Sequence, residues 1–133
     1  MKKTFADTYF FLALLNPRDA AHELAIKASA ALEGRIYTTE FVLLEVGDAM
    51  ADPDDRPRFM GLMDTLNESS TQIIIPASTE WLHRGYVLYQ KSKDKGWSLT
   101  DCISFAVMKS MNIQVALTGD RHFKQAGFTS YFT

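Results

Sequence analysis

Four carboxylates in this chain, Asp7, Glu45, Asp101 and Asp120, sit where the sequence changes character from one element to the next. Acids brought close together repel unless cations lie among them. An oxygen-only set of donors favours Mg²⁺ or Mn²⁺ over zinc, and Mg²⁺ keeps several waters while taking one or two carboxylates. The chemistry that suits such a centre is phosphodiester hydrolysis. One ion lowers the pKa of a bound water, and a second, about 3.5–4 Å away, stabilises the leaving oxygen.

Each acid also has a plainer reading. Asp7 could be a helix cap after a strand, and Glu45 a solvated helix residue. Asp101 could be the far half of a capping box begun by Ser98, and Asp120 a turn residue. Taken singly, these readings are as good as the chemical one. The joint placement is what argues for a site, and it depends on the elements that carry the acids.

Trp97 to Phe123 carries two of the four. Ser98 reads as an N-cap, and Ile103, Ala106, Val107 and Met111 recur at helical spacing, so a helix is expected over Leu99–Met111 with Asn112 as its stop. Val115-Ala116-Leu117 is a short apolar strand, the kind found in buried parallel sheets, and Thr118-Gly119-Asp120 ends it. A strand that stops at Gly-Asp delivers an acid to the carboxyl edge of a sheet, where open α/β sheets bind ligands.

Earlier in the chain, Thr4-Phe5-Ala6 reads as a strand. Asp7-Thr8 then caps a helix over Tyr9–Leu15, ended by Asn16-Pro17. Asp19 can cap a helix over Ala20–Leu32 with the stripe Leu24, Ala28 and Ala31, stopped at Gly34. Arg35–Tyr37 is a second strand with Thr38 and Thr39 as caps. Phe41–Met50 is a helix facing inward with Val42, Val46 and Ala49, and Glu45 lies in it beside Gly47, which allows another backbone to approach. Asp52-Pro53-Asp54-Asp55 breaks the pattern before a helix near Arg56 built on Phe59, Met60, Met63 and Leu66. Gln72–Ile75 is a β-branched strand. Ser78 or Thr79 caps a helix over Glu80–Lys91 with Trp81, Leu82, Val87 and Leu88 as its core positions. A charged loop, Lys93–Gly96, follows. Gly127 precedes a last strand, Thr129–Phe132. Strands alternating with helices predict an α/β fold with a parallel sheet and right-handed crossovers, and no linker divides the chain. The acids then fall after strand one, in the helix after strand two, at the start of a late helix and after the strand that follows it, all at one edge.

The totals are compatible with this. At 133 residues, 47% hydrophobic and 23% charged, the chain has the size and balance of one ordinary soluble domain. Its single cysteine, Cys102, cannot bridge internally and fits a reducing setting. Lys2-Lys3 before Tyr9–Leu15 imitates a signal peptide, but Asp7 interrupts it and a span needs about 20 apolar residues, so a cytoplasmic protein with no membrane segment is expected. The net charge of −2 does not advertise nucleic-acid binding, though neutralising four acids with cations would turn it to +2.

Other residues read as background. His122, two residues beyond Asp120, could touch a phosphate but reads more simply as a loop side chain. His22 and His83 have no metal-ligand partner at usable spacing. Arg121 and Lys124 could meet an RNA backbone, with solvated loop charges as the default. Cys102 reads as helix core. Tyr9, Phe10 and Phe11 read as core and dimer-surface aromatics. Asp48, three residues after Glu45 on one helix face, is an outside candidate for the site.

FADTYFFLALL, LLEV, SLTDCISFAVM and ALTGDRHF together resemble the PIN-domain ribonucleases, most of all the small stand-alone VapC-type toxins of prokaryotic toxin–antitoxin pairs. The resemblance runs over essentially the whole chain, residues 1–133, with Asp52–Lys95 sharing only the layout. It implies a three-layer α/β/α fold with a five-stranded parallel sheet. It also implies an Mg²⁺- or Mn²⁺-dependent endoribonuclease, a homodimer and a small cognate antitoxin. Asp7, Glu45, Asp101 and Asp120 match the family's metal-binding acids, and Thr118 the hydroxyl that helps hold the site. The RNA would be cut by water in single-stranded or loop regions. Two other readings stand beside it: a PIN-like module that binds RNA or protein without cutting, and a housekeeping PIN nuclease. A phosphatase of the aspartyl-phosphate kind wants an acid two residues after Asp7, where this chain has Tyr9.

Overall fold

The computed structural model describes residues 2–132. In chain order it contains β1 (Lys3–Ala6), α1 (Thr8–Leu15), α2 (His22–Ala31), β2 (Arg35–Thr39), α3 (Glu40–Ala49) and α4 (Arg56–Glu68). The second half contains β3 (Gln72–Ile75), α5 (Thr79–Lys91), α6 (Leu99–Ser110), β4 (Val115–Leu117), α7 (Arg121–Gln125) and β5 (Thr129–Ser130). The five strands form one sheet in the order β3-β2-β1-β4-β5, with every pairing parallel. This is the expected α/β architecture, a central sheet under helices.

The order reverses at β1. The chain first moves outward from β1 to β3, then crosses back to lay β4 on the other side of β1. Ligands in open α/β sheets bind beyond the carboxyl ends of the strands at such a reversal. Ala6 is in register with Leu117, so the residues that follow, Asp7 and Thr118, leave the sheet side by side. The Asp7 N–H donates to the Leu117 carbonyl at 3.4 Å, extending the ladder by one step.

The core beneath this edge is apolar. Phe5, Phe11, Val46, Ile103, Met108 and Leu117 are buried. Helix α6 starts with the capping box read from sequence, Ser98 Oγ accepting from the Asp101 N–H and the Asp101 carboxylate from the Ser98 N–H. Asn112 ends it with a φ of 56°, the left-handed stop that asparagine tolerates. At Gly85, α5 lies on α6 so closely that a Cβ would stand 2.3 Å from Ile103 Cγ1.

Several helix faces differ from those read by periodicity. Helix α2 buries Ala21, Ala25 and Ala28, while Leu24 and Ala31 are exposed. Asp19 Oδ1 accepts from the Ala21 N–H at 2.8 Å and His22 Nδ1 bonds the Ala13 carbonyl at 2.8 Å, which starts the helix at His22 and turns its small-residue side inward. In α3 the inward residues are Val42, Leu43 and Val46, with Ala49 exposed. Gly47 is approached by the Phe59 ring rather than by a backbone. Met60 of α4 and Leu82 of α5 are exposed, because these peripheral helices bury only narrow stripes. The last strand is two residues long, and a five-residue helix, α7, stands where a loop was expected.

Candidate active site

Asp7 is the deepest of the acids. It follows β1 and is 3% exposed. The Thr118 hydroxyl donates to Asp7 Oδ2 at 3.0 Å and accepts from the Asp120 N–H at 3.0 Å, so one threonine ties the first strand to the turn after β4. Gly119 sits under the Tyr9 ring, where a Cβ would come within 2.4 Å of Tyr9 Cζ; the absence of a side chain keeps the turn tight against α1. Burial lifts the Asp7 carboxyl to about 7, with the negative charge of Asp101 adding to the rise and hydrogen bonds from Thr8 and Thr118 opposing it.

Asp101, in the first turn of α6, has one oxygen committed to structure and one not. Its Oδ2 accepts from the Ser98 N–H at 3.2 Å and faces His122 Nδ1 at 3.1 Å. Burial raises its pKa as well, and the hydrogen bond with His122 works against that rise. Asp120 caps α7: its Oδ1 accepts from the His122 N–H at 2.9 Å and lies 3.4 Å from His122 Nδ1. Among the described residues, Oδ1 of Asp101 and Oδ2 of Asp120 have no hydrogen-bond partner. The plain readings of these two acids, cap and turn, are therefore correct descriptions of one oxygen each.

Glu45 stands apart. It projects from α3 and accepts a hydrogen bond from the Thr8 hydroxyl, next in sequence to Asp7. Neither it nor Asp7 joins the tight group formed by Asp101, Asp120 and His122, whose donor atoms lie within 4.8 Å of one another and could hold a metal ion. Thr118 is fully buried and links Asp7 to the turn that carries Asp120.

A PIN domain family model matches residues 4–129 of the chain. The chain belongs to the PIN-domain family. Among solved structures, this PIN domain is similar to the sarcin–ricin loop cleaving toxin VapC20 of Mycobacterium tuberculosis, with a TM-score of 0.87 and 25% identity over 95% of this chain and 96% of that one. FitAcB from Neisseria gonorrhoeae has the same fold at 17% identity, with a TM-score of 0.68 and 96% of both chains covered. So does VapBC2 from Rickettsia felis, solved on a DNA fragment from its promoter, at 15% identity, a TM-score of 0.67 and 96% of both chains. No curated protein matches the sequence.

The histidine is the residue that sequence reasoning misplaced. His122 is half-buried and turned toward the acids because α7 begins at Asp120, a helix too short to leave a periodic signal. Its position two residues beyond a capping Asp was the available clue. The other background readings hold differently. Cys102 is buried core, with its thiol pushed up to about 11 by burial. Asp48 is exposed and lines an apolar groove of about 670 Å³ with Phe41, Leu44, Phe59 and Met63, away from Asp101 and Asp120. Arg121 and Lys124 are exposed, Phe10 and Phe11 are buried, and His83 is exposed. No described helix is long and apolar enough to cross a membrane.

Proposed function

We propose that this PIN domain, residues 1–133, is a divalent-metal-dependent endoribonuclease and the toxin of a type II toxin–antitoxin pair. The observation that carries the reading is the meeting of Asp7 and Asp120 on one threonine, Thr118, at the sheet reversal, with Asp101 tied to the Asp120 turn through His122. The donor set fits a hard divalent cation. Carboxylate oxygens predominate, two of them lack protein partners, and the raised pKa values of Asp7 and Asp101 reflect a burial and repulsion that a cation would relieve.

Asp7, Asp101 and Asp120 would hold the ion directly or through water, and Glu45 would reach it through water from its side of Thr8. A cation there supplies Lewis-acid stabilisation of the phosphoryl oxygens and a water of lowered pKa. Mg²⁺ is the expected ion, with Mn²⁺ as substitute. Thr118 fixes Asp7 and the turn that carries Asp120. Arg121 and Lys124, exposed on α7 beside the acids, suit contact with an RNA backbone. The likeness to VapC20 supports a structured-loop RNA substrate, and the VapBC and FitAB names among the fold neighbours support a cognate antitoxin. A homodimer and a cytoplasmic location belong to the same proposal.

The test is cleavage of a small-RNA pool and of a sarcin–ricin stem-loop by purified protein, with Mg²⁺, with Mn²⁺ and with chelator. Discrete, metal-dependent products are expected. Asp101→Asn should keep its fold, since the amide still caps α6, and lose cleavage. Full activity in that variant sinks the assignment.

A further inference from the structure

We infer that His122 is a positioning residue: its imidazole holds the outer oxygens of Asp101 and Asp120 so that their other oxygens face the cation. The inference rests on the metal-nuclease reading above. The geometry separates the oxygens of each carboxylate. Asp101 Oδ2 is held by the Ser98 N–H at 3.2 Å and by His122 Nδ1 at 3.1 Å. Asp120 Oδ1 is held by the His122 N–H at 2.9 Å and stands 3.4 Å from the same Nδ1. The outer oxygen of Asp101 thus has one backbone donor and the ring nitrogen as partners, while that of Asp120 has one backbone donor with the ring nitrogen lying against it. The inner oxygens, Asp101 Oδ1 and Asp120 Oδ2, are unpartnered among the described residues.

A histidine that ligated the ion would present a bare ring nitrogen to it. Here Nδ1 is hydrogen-bonded to Asp101 Oδ2, an oxygen already engaged by the Ser98 N–H, and has Asp120 Oδ1 beside it at 3.4 Å. The other nitrogen, Nε2, faces away toward Gly96, where a Cβ would stand 3.8 Å from it. The imidazole therefore does for two carboxylates what outer-sphere partners do for metal ligands generally: it fixes their orientation. It also lies between two negative groups that would otherwise turn from each other.

The experiment is Mn²⁺ binding by calorimetry, without RNA, on wild type and on His122→Ala, His122→Asn and His122→Gln. Melting of each metal-free protein checks folding. An Asn amide reaches the place of Nδ1, a Gln amide that of Nε2. Loss of an outer-sphere partner typically costs 10- to 100-fold in metal affinity. The Ala and Gln variants should show about that loss, and Asn should return to near the wild-type level. Cleavage should follow the same order. Unchanged binding in His122→Ala overturns the role. Rescue by Gln rather than Asn replaces it with a contact through Nε2. Nitrogen hyperfine coupling on Mn²⁺ bound to the wild type would make His122 a ligand and overturn it too. Wild-type protein that binds no Mn²⁺ removes the metal centre itself, and the positioning role with it.

Discussion

Beside β1 and β4, Asp7, Thr118 and Leu117 are buried, and the polar groups among them are hydrogen-bonded from strand to turn. In β3 all four strand residues are only half-buried, and α5, which covers α6 from outside, buries a single residue, Gly85. The acids lie in the first region. The second carries exposed apolar groups instead: Leu82, Tyr86 and Tyr89 on α5, Leu44 in the α3–α4 groove, and Met60 on α4. A carboxylate cluster works only if its atoms are held, so its surroundings are closed and cross-linked. The outer helices need only cover the sheet, which leaves their surfaces free to vary.

That contrast can be tested from its strongest point outward. In metal-free protein Asp7 keeps its proton to about pH 7, whereas the unfolded chain loses it near 3.8. Between those values the native state binds more protons, so stability falls as pH rises, and levels off above about 7 for this group. Asp7→Asn removes that cost. Each tenfold difference in proton affinity between the folded and unfolded chain is worth about 1.4 kcal/mol, so the chelator-treated variant should be more stable than wild type at pH 8 by up to a few kcal/mol. Asp101 contributes a smaller slope of the same sign in both proteins. Thermal melts across pH check this, and identical slopes would contradict it.

Two glycines then contrast the close α5–α6 contact at Ile103 with the open side of α4. Gly85→Ala would force a Cβ into the Ile103 backbone at 2.9 Å, so denaturant unfolding should show a loss of about 1–3 kcal/mol. Gly61, on the exposed side of α4, has nothing within 4 Å of where a Cβ would sit. Gly61→Ala should stabilise by about 0.5–1 kcal/mol through helix propensity alone. If both changes destabilise equally, the outer layer is packed more tightly than its exposure indicates.

Much of the closed region was legible in sequence. Ser98 and Asp101 announce the start of α6, Asn112 its end, and Val115–Leu117 a buried strand, because capping chemistry and short apolar runs are local signals. Asp7, Asp101 and Asp120 were legible as candidates because each stands at an element's end, which is a local signal. What was not legible depends on rotation and on brevity. The face that α2 turns inward is set by Asp19 and His22, and the inward turn of His122 by a helix of five residues. The distance of Glu45 from Asp101 and Asp120 is a tertiary matter that no spacing encodes. In α5 the apolar pattern was real, but part of it faces solvent, and periodicity cannot tell a buried stripe from an uncovered one.

The hydrogen bond from Thr118 to Asp7 joins residues 111 positions apart. During synthesis β1, β2 and β3 emerge and can pair long before β4 exists to take its place on the other side of β1. Asp101 and Asp120 arrive later still than most of the chain. For most of its synthesis the chain is therefore at best a partial sheet with β1 and β3 both as edges, and with Asp7 and Glu45 made but Asp101 and Asp120 still to come. The acids at the sheet reversal therefore come together only once the last quarter of the chain is in place, so that completing the fold and completing the candidate site are one event.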